Sequence, residues 1–433
     1  MDPGLLLYNL ALATAAAALP GVYLGGRLAG KWPELWLRSG LFRDLAPAGA
    51  GPRVWLQAVS VGEVSVARAV AAELHKAAGH ICLTVSASTA KGLGEVRASL
   101  GLAAKVAPFP LDFPWSVAAA GRKIRPHVYA SLETEIWPNL LAYLDKAGTS
   151  LFLLNGRLSP RSFPRYQKIR PLLAPTLRRF KCLSMITEKD AQRVIALGAD
   201  PGRVRVDGNA KYAGLLKRIR PGLTFEPAAR LNLACAPLLV AGSVRTGEEQ
   251  PVLEAFKRVL EQYPKAVLAA VPRHVERAPR WQEAALRLGL PAQLWSALDK
   301  DRPRLTGTSV VVVDAMGVLF GLYGLARAAF LGASLVPLGG QNPIEPAAWG
   351  VPVAYGPSME DFADAAQVLQ AQGAACIVNN SNELSRFWQE MLADGQKAAQ
   401  KGEAGRAVVA RWSGAARAAA GLILEELDRK GVL

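Results

Sequence analysis

The sequence predicts an α/β protein of two doubly wound parallel-sheet domains, and three observations carry that reading. From residue 50 onward, short β-branched runs alternate with longer helical patterns, as in parallel strands covered by helices. The alternation comes in two series, separated by a basic, proline-bearing stretch. The 433 residues also exceed the roughly 250–300 at which a single hydrophobic core stops growing. Hydrophobic residues at 51% and charged residues at 20% can fill large cores and exclude disordered, coiled-coil and collagen-like chains.

Residues 1–48 read as an N-terminal membrane anchor and interfacial segment. No charged side chain occurs from Pro3 to Gly26, a length close to that of a bilayer span. Arg27, Lys31, Arg38 and Arg43 follow, with Trp32 and Trp36 among them, which places the remainder on the cytoplasmic side. The alanine-rich residues 11–18 are only modestly hydrophobic, so an interfacial or buried helix is the alternative. A cleaved signal peptide is disfavoured because no basic residue precedes the apolar run.

Residues 49–214 hold the first series, with strands at Val54–Val59, Ile81–Ser86, Lys105–Phe109, Val128–Leu132, Leu151–Leu154 and Val204–Val206 and helices such as Val64–Ala77. Residues 215–227 form the linker. Residues 228–433 hold the second series, with strands at Leu238–Ala241, Ala266–Val271, Val310–Asp314, Ala328–Leu331 and Val351–Ala354 and helices such as Glu248–Gln262. That domain is expected to end in the alanine-rich helices of Ser381–Leu433.

Lys plus Arg exceed Asp plus Glu by 51 to 35, a net charge of +16, so the expected partners are anionic. The four cysteines contain no C-x-x-C pair and the four histidines no H-x-x-x-H spacing. Neither a disulfide framework, nor a protein-held metal, nor a cofactor is expected. Doubly wound domains bind ligands at the carboxyl ends of their strands, here facing a common cleft, so motifs at strand ends carry the functional reading.

In the first domain, Gln57–Val64 ends a strand and starts a helix. Ser60 and Gly62 suit the tight turn, and Glu63 falls in the first helical turn. Glu63 fits either a complement to the helix dipole or a general base for a sugar hydroxyl. In Ser86–Gly92, the residues Ser88, Thr89 and Lys91 suit an anion-binding turn, or an N-cap by Ser88 or Thr89. Glu133 and Glu135 lie two apart after a strand; in a helix they would diverge by about 200° and do different jobs. Asn155–Tyr166, with Arg157, Ser159 and Arg161, opens a basic, aromatic stretch that suits anionic headgroups better than nucleic acid, for which no signature is present.

In the second domain, Ala241–Glu249 places Ser243, Arg245 and Thr246 at a strand-to-helix junction able to hold phosphate. Arg273 ends the next strand, where it can pair with a phosphate. In Gly332–Ala348, Gly339 and Gly340 are read as admitting a nucleotide and Glu345 as accepting ribose hydroxyls. The alternative is a capping box of Asn342 and Glu345.

Taken in order, V-S-V-G-E, E-T-E-I-W-P-N, N-G-R-L-S-x-R-S, D-G-N-x-K (Asp207–Lys211), V-P-R-H, D-A-M-G (Asp314–Gly317) and G-G-Q-N-P-I-E-P-A-A resemble the 3-deoxy-D-manno-octulosonic acid (Kdo) transferases of bacterial lipopolysaccharide synthesis. The resemblance covers essentially the whole chain. It implies the GT-B architecture and an inverting, metal-independent transfer of Kdo from CMP-Kdo to a lipid A precursor, at the cytoplasmic leaflet of the inner membrane. It implies Glu63 as the general base and Glu133 and Glu135 as part of the donor and acceptor cleft. Ser243, Arg273, His274, Met316, Gly317, Asn342 and Glu345 would line the CMP pocket, and the basic first domain would meet the lipid phosphates. The chain departs from the family pattern at Val318-Leu319, where a Glu-Leu pair is common, and at Val244-Arg245, where Thr-His is frequent. Another GT-B sugar-nucleotide enzyme, or a catalytically silent membrane scaffold, are the other readings.

Overall fold

The computed structural model describes residues 3–28, 38, 49–101, 104–220 and 222–433. The chain forms two compact units: Met1–Ala213 with Trp412–Leu433, and Gly214–Arg411.

The first unit carries a parallel sheet of seven strands: β1 (Arg53–Ala58), β2 (Cys82–Ala87), β3 (Lys105–Pro108), β4 (Val128–Leu132), β5 (Ser150–Gly156), β6 (Cys182–Met185) and β7 (Val204–Val206). Their order is β3-β2-β1-β4-β5-β6-β7. β1 shows why these segments become interior strands. Val54, Leu56 and Ala58 enter one core, with Val66, Val70 and Leu74 of the helix Val61–Ala77. Trp55 enters the other, meeting Phe109 and, edge to face at 5.2 Å, Tyr129. Such two-sided burial needs the near-continuous apolar runs visible in the sequence.

The second unit repeats the plan with β8 (Leu238–Val244), β9 (Val267–Pro272), β10 (Ala292–Leu294), β11 (Val310–Val312), β12 (Ala326–Leu331), β13 (Val353–Tyr355) and β14 (Ala375–Ile377). Their order is β10-β11-β9-β8-β12-β13-β14, again parallel. In each sheet the order reverses direction beside its first strand, at β1/β4 and at β8/β12, which are the switch points where doubly wound sheets bind ligands.

Two assignments made from the sequence change. The segment read as a linker folds into the helices Leu215–Arg218 and Gly222–Leu231 within the second unit. The last helix, Ala415–Arg429, belongs to the first unit rather than the second. Ala415, Ala416, Ala419, Ala420, Ile423 and Leu427 form one apolar stripe that completes the core on the Val54 face. Trp412 starts this return, stacking on Tyr212 with ring centres 5.5 Å apart. Glu426 then takes both Arg429 Nε (2.8 Å) and Nη2 (2.6 Å) and the Ser150 hydroxyl.

The residues expected to anchor the protein form a helix, Pro3–Leu28. The side chains of residues 18–28, and residues 29–37 and 39–48 with Trp32 and Trp36, lie outside the described residues. Pro3–Ala17 is apolar but short. Among the described residues, the one run long and apolar enough to cross a membrane is Gly395–Arg429, at the other end of the chain. Several of its apolar side chains, Val409, Trp412 and Ile423 among them, are fully buried.

The N-terminal helix docks on the first unit through polar contacts. The Tyr8 hydroxyl donates to Asp112 Oδ2 at 3.0 Å, and Asn9 and Asn139 exchange two side-chain hydrogen bonds at 2.7 and 3.0 Å. Asp112 also accepts the backbone N–H groups of Asn139 (3.0 Å) and Leu140 (2.8 Å), and so caps the helix Pro138–Lys146 from a distant loop. Burial pushes the Asp112 carboxyl up to about 6, against the pull of these hydrogen bonds. Its folded value lies above the unfolded one, so its contribution to stability declines as pH rises from about 4 through about 6. Asp112→Ala leaves two buried N–H groups without an acceptor and is expected to cost roughly 2–4 kcal/mol, measurable by urea unfolding at pH 7. An unchanged midpoint would show that water replaces the cap.

Candidate active site

In the first unit, β2, β1, β4 and β5 are neighbours, so the loops at their carboxyl ends lie along one sheet edge. These loops carry the residues singled out in the sequence. Ser60 is the N-cap of the helix Val61–Ala77 in extended backbone, its side chain making no cap bond. Gly62 follows in the first turn and is exposed. Glu63 folds back, with Val59 N–H donating to Oε2 at 2.6 Å and Ser60 Oγ to Oε1 at 3.1 Å. The side chain is thus half of a capping box and at the same time a carboxylate held in a fixed rotamer. Burial raises its affinity for a proton above that of an ordinary glutamate. The Val59 and Ser60 hydrogen bonds oppose the shift, and the negative charge of Glu135 adds to it.

Glu133 and Glu135 do not sit in a helix, because the helix begins only at Pro138. Glu133 takes a left-handed backbone (φ +56°) and donates its N–H to Leu154 O at 3.0 Å. That bend aims Glu135 differently from a helical turn: its carboxylate accepts Trp137 Nε1–H at 2.7 Å, and its charge is felt at Glu63. Burial also raises Glu135, opposed by the Trp137 bond and by the positive charge of Arg38. Arg38, read from the sequence as a membrane-flanking cation, instead reaches Phe109 O (3.0 Å) and Ser88 O (3.2 Å) at the ends of β3 and β2.

The next two loops are mostly self-satisfied. Thr89 is the N-cap, accepting Gly92 N–H at 3.0 Å and donating to Val59 O at 3.2 Å. Ser88 Oγ accepts Gln57 Nε2 at 3.1 Å, while Lys91 is exposed. Ser159 accepts Ser162 N–H at 3.1 Å, Arg157 is half-buried and Arg161 exposed. Arg165, Lys168 and Arg170 are exposed beyond them, so the basic stretch presents its charge to solvent.

In the second unit the same edge of the sheet carries β11, β9, β8, β12 and β13 side by side. Ser243 sits at the end of β8 with φ +54°. Arg273 follows β9, its N–H held by Val244 O at 3.0 Å and its side chain exposed. His274 is exposed and lies 3.5 Å from Glu276. Met316 is 74% exposed and Gly317 adopts φ +83° in open space. Asn342 accepts Ile344 N–H at 3.1 Å. Burial raises the Glu345 carboxyl, opposed by the charge of Arg218, a side-chain bond from Asn342 and the charge of Arg273. Arg218 was passed over in the sequence; its guanidinium lies 4.7 Å from the centre of the Phe320 ring.

Gly339 and Gly340, read from the sequence as admitting a nucleotide, are buried in a tight turn. A Cβ on Gly339 would lie 2.6 Å from Asp361 Oδ2, and one on Gly340 2.4 Å from Met359 Sδ. Their N–H groups are taken by Ser358 Oγ (2.9 Å) and Ala333 O (2.9 Å). The pair exists because the chain packs tightly with positive φ, +82° and +76°.

The largest omission from the sequence reading is Glu248, fully buried in the second unit. Its Oε2 accepts the N–H groups of Arg245 (2.8 Å) and Ala333 (2.8 Å), and its Oε1 those of Ser334 (3.0 Å) and Leu335 (3.1 Å). A glutamate starting a helix gives no sign that its partners lie some 85 residues downstream. Among the described residues, no three His, Cys, Asp or Glu side chains gather as metal ligands.

Two doubly wound parallel sheets of this kind are the GT-B architecture. A putative UDP-N-acetylglucosamine 2-epimerase from Listeria monocytogenes matches with a TM-score of 0.57 at 15% identity, covering 88% of this chain and 98% of that one. A glycosyltransferase from Rickettsia africae matches with 0.54 at 15% identity, covering 87% and 99%. At such identities the likeness is one of fold. Residues 33–214 match the family described as 3-deoxy-D-manno-octulosonic-acid transferase (kdotransferase). A 3-deoxy-D-manno-octulosonic acid transferase of Haemophilus influenzae is 29% identical over 384 residues, 87% of each chain. A bifunctional glycosyltransferase/methyltransferase of Fusobacterium nucleatum is 31% identical over 81% of this chain, which spans about half (54%) of that protein. Over most of its length the chain is thus similar to Kdo transferases.

Proposed function

We propose that this protein transfers Kdo from CMP-Kdo to a lipid A precursor in lipopolysaccharide synthesis, at the cytoplasmic face of the inner membrane. The observation that carries the reading is Glu63, a buried carboxylate of raised proton affinity at the β1/β4 switch point of a chain related to Kdo transferases over most of its length. Glu63 takes the proton from an acceptor sugar hydroxyl as that oxygen bonds to the anomeric carbon of Kdo; the bond to the CMP phosphate breaks, with inversion. Glu135 keeps Glu63 basic through its charge. Arg273 and Arg218 offset the negative charge of the donor beside Glu345, which accepts the ribose hydroxyls. The exposed cations Arg161, Arg165, Lys168 and Arg170 meet the lipid phosphates, and the N-terminal helix holds the protein at the membrane.

Incubation with CMP-Kdo and a tetraacylated lipid A precursor is expected to give a lipid product heavier by one or more Kdo residues, read by mass spectrometry. UDP-sugars are expected to give none. Transfer from a UDP-sugar would point to another GT-B donor, and inactivity of folded protein with every donor to a silent scaffold. Glu345→Ala is expected to raise the KM for CMP-Kdo about tenfold, or about 1.4 kcal/mol, with a smaller change in kcat. An unchanged KM would remove Glu345 from the donor site.

A further inference from the structure

We propose that Glu248 is the positioning residue of the donor side of the second unit, fixing the strand-end loops against which a nucleotide would lie. The inference rests on the donor reading given above, and its support is geometric. Glu248 stands at the β8/β12 switch point and spends its two carboxylate oxygens on four backbone N–H groups, one from the loop after β8 and three from the loop after β12. A non-glycine residue in the left-handed region stands beside each of those contacts, Ser243 (+54°) in the last residues of β8 and Ala333 (+58°) in the loop after β12. Such backbone persists only where its surroundings over-determine it. The carboxylate supplies that determination.

The hold extends outward through the loops themselves. Val244 O accepts Arg273 N–H at 3.0 Å, which ties the loop after β9 to the one after β8. Ala333 O accepts Gly340 N–H at 2.9 Å, and Ser334 Oγ accepts Gly356 N–H at 2.7 Å, which ties in the Gly339-Gly340 turn and the loop after β13. Four neighbouring strand ends thus depend on one side chain that itself faces no solvent. Only a carboxylate can do this. Glutamine of the same shape offers one acceptor oxygen and turns an NH2 group toward two N–H donors. Aspartate keeps the acceptors but is one methylene shorter.

The test uses the full-length protein with Glu248→Gln and Glu248→Asp. It measures kcat and KM for CMP-Kdo, CMP binding by calorimetry, thermal midpoint, and amide exchange at residues 243–247 and 333–340. The proposal expects Glu248→Gln to raise KM and the CMP Kd at least tenfold while kcat changes less than threefold, with faster exchange confined to the two loops. Glu248→Asp is expected to recover part of the affinity, and it carries the test alone if the glutamine variant does not fold. Unchanged KM and Kd, whether the midpoint falls or exchange rises, would overturn the proposal and leave Glu248 a packing residue. Wild-type protein that neither binds CMP nor uses CMP-Kdo would overturn the donor reading instead.

Discussion

Glu63→Gln is expected to remove transfer while leaving the fold in place, lowering kcat by about 10²–10⁴, the usual contribution of a general base. Glutamine is chosen because the capping box accepts Glu or Gln at this position, so the helix Val61–Ala77 keeps its start and the proton acceptor alone is lost. CMP binding, proposed for the second unit, should change less than twofold. Glu63→Ala removes both roles and should add a stability loss of roughly 0.5–2 kcal/mol. The two variants therefore separate catalysis from capping. If Gln retains wild-type turnover, Glu63 is a cap and the base lies elsewhere. The pH profile supplies a second check. Burial raises the carboxyl above its ordinary value, so the base is protonated, and kcat/KM falls, as pH drops through a point higher than that of a free glutamate. Glu135→Gln removes a neighbouring negative charge, and the acid limb should then move to lower pH.

Trp412→Ala is expected to be the most destabilising single change outside the site, at about 3–5 kcal/mol. The indole is fully buried, stacks on Tyr212 and abuts Gly208, where a Cβ would lie 2.3 Å from its ring. Removing it opens a cavity where the chain returns to the first unit. Its ring N–H is buried without a hydrogen-bond partner, so Trp412→Phe forfeits no bond and, leaving a smaller cavity, should cost less than the alanine change. Urea unfolding followed by far-UV circular dichroism measures both. Equal losses for Ala and Phe would show that shape at this site, rather than buried volume, sets the cost.

The central strands were legible because burial on both faces demands apolar runs, as in V-W-L at 54–56 and L-L-V-A at 238–241. β6, with C-L-S-M, and the three-residue edge strands β10 and β14 carry too little pattern to stand out. The last helix was legible as a helix, but an apolar stripe does not say which core it completes. At the site, Glu63 was visible because strand-to-helix junctions limit where a carboxylate can point. Arg38 was misplaced because charge beside an apolar stretch reads as membrane-flanking, whatever its guanidinium reaches in the fold. Glu248 and the packing of Gly339 and Gly340 depend on contacts remote in sequence, on which local chemistry is silent.

The double crossing of the chain, at Ala213/Gly214 and again at Arg411/Trp412, sets an order of events during synthesis. The second unit is one continuous stretch and has everything it needs once residue 411 has left the ribosome. The first unit, although begun earlier, lacks the stripe from Ala415 to Leu427 until the chain has passed through the second unit, so until then one core is closed only by the helices that precede residue 214. The usual vectorial sequence, N-terminal domain first, is reversed here. The nascent chain therefore carries an incompletely closed core for some 200 residues of elongation.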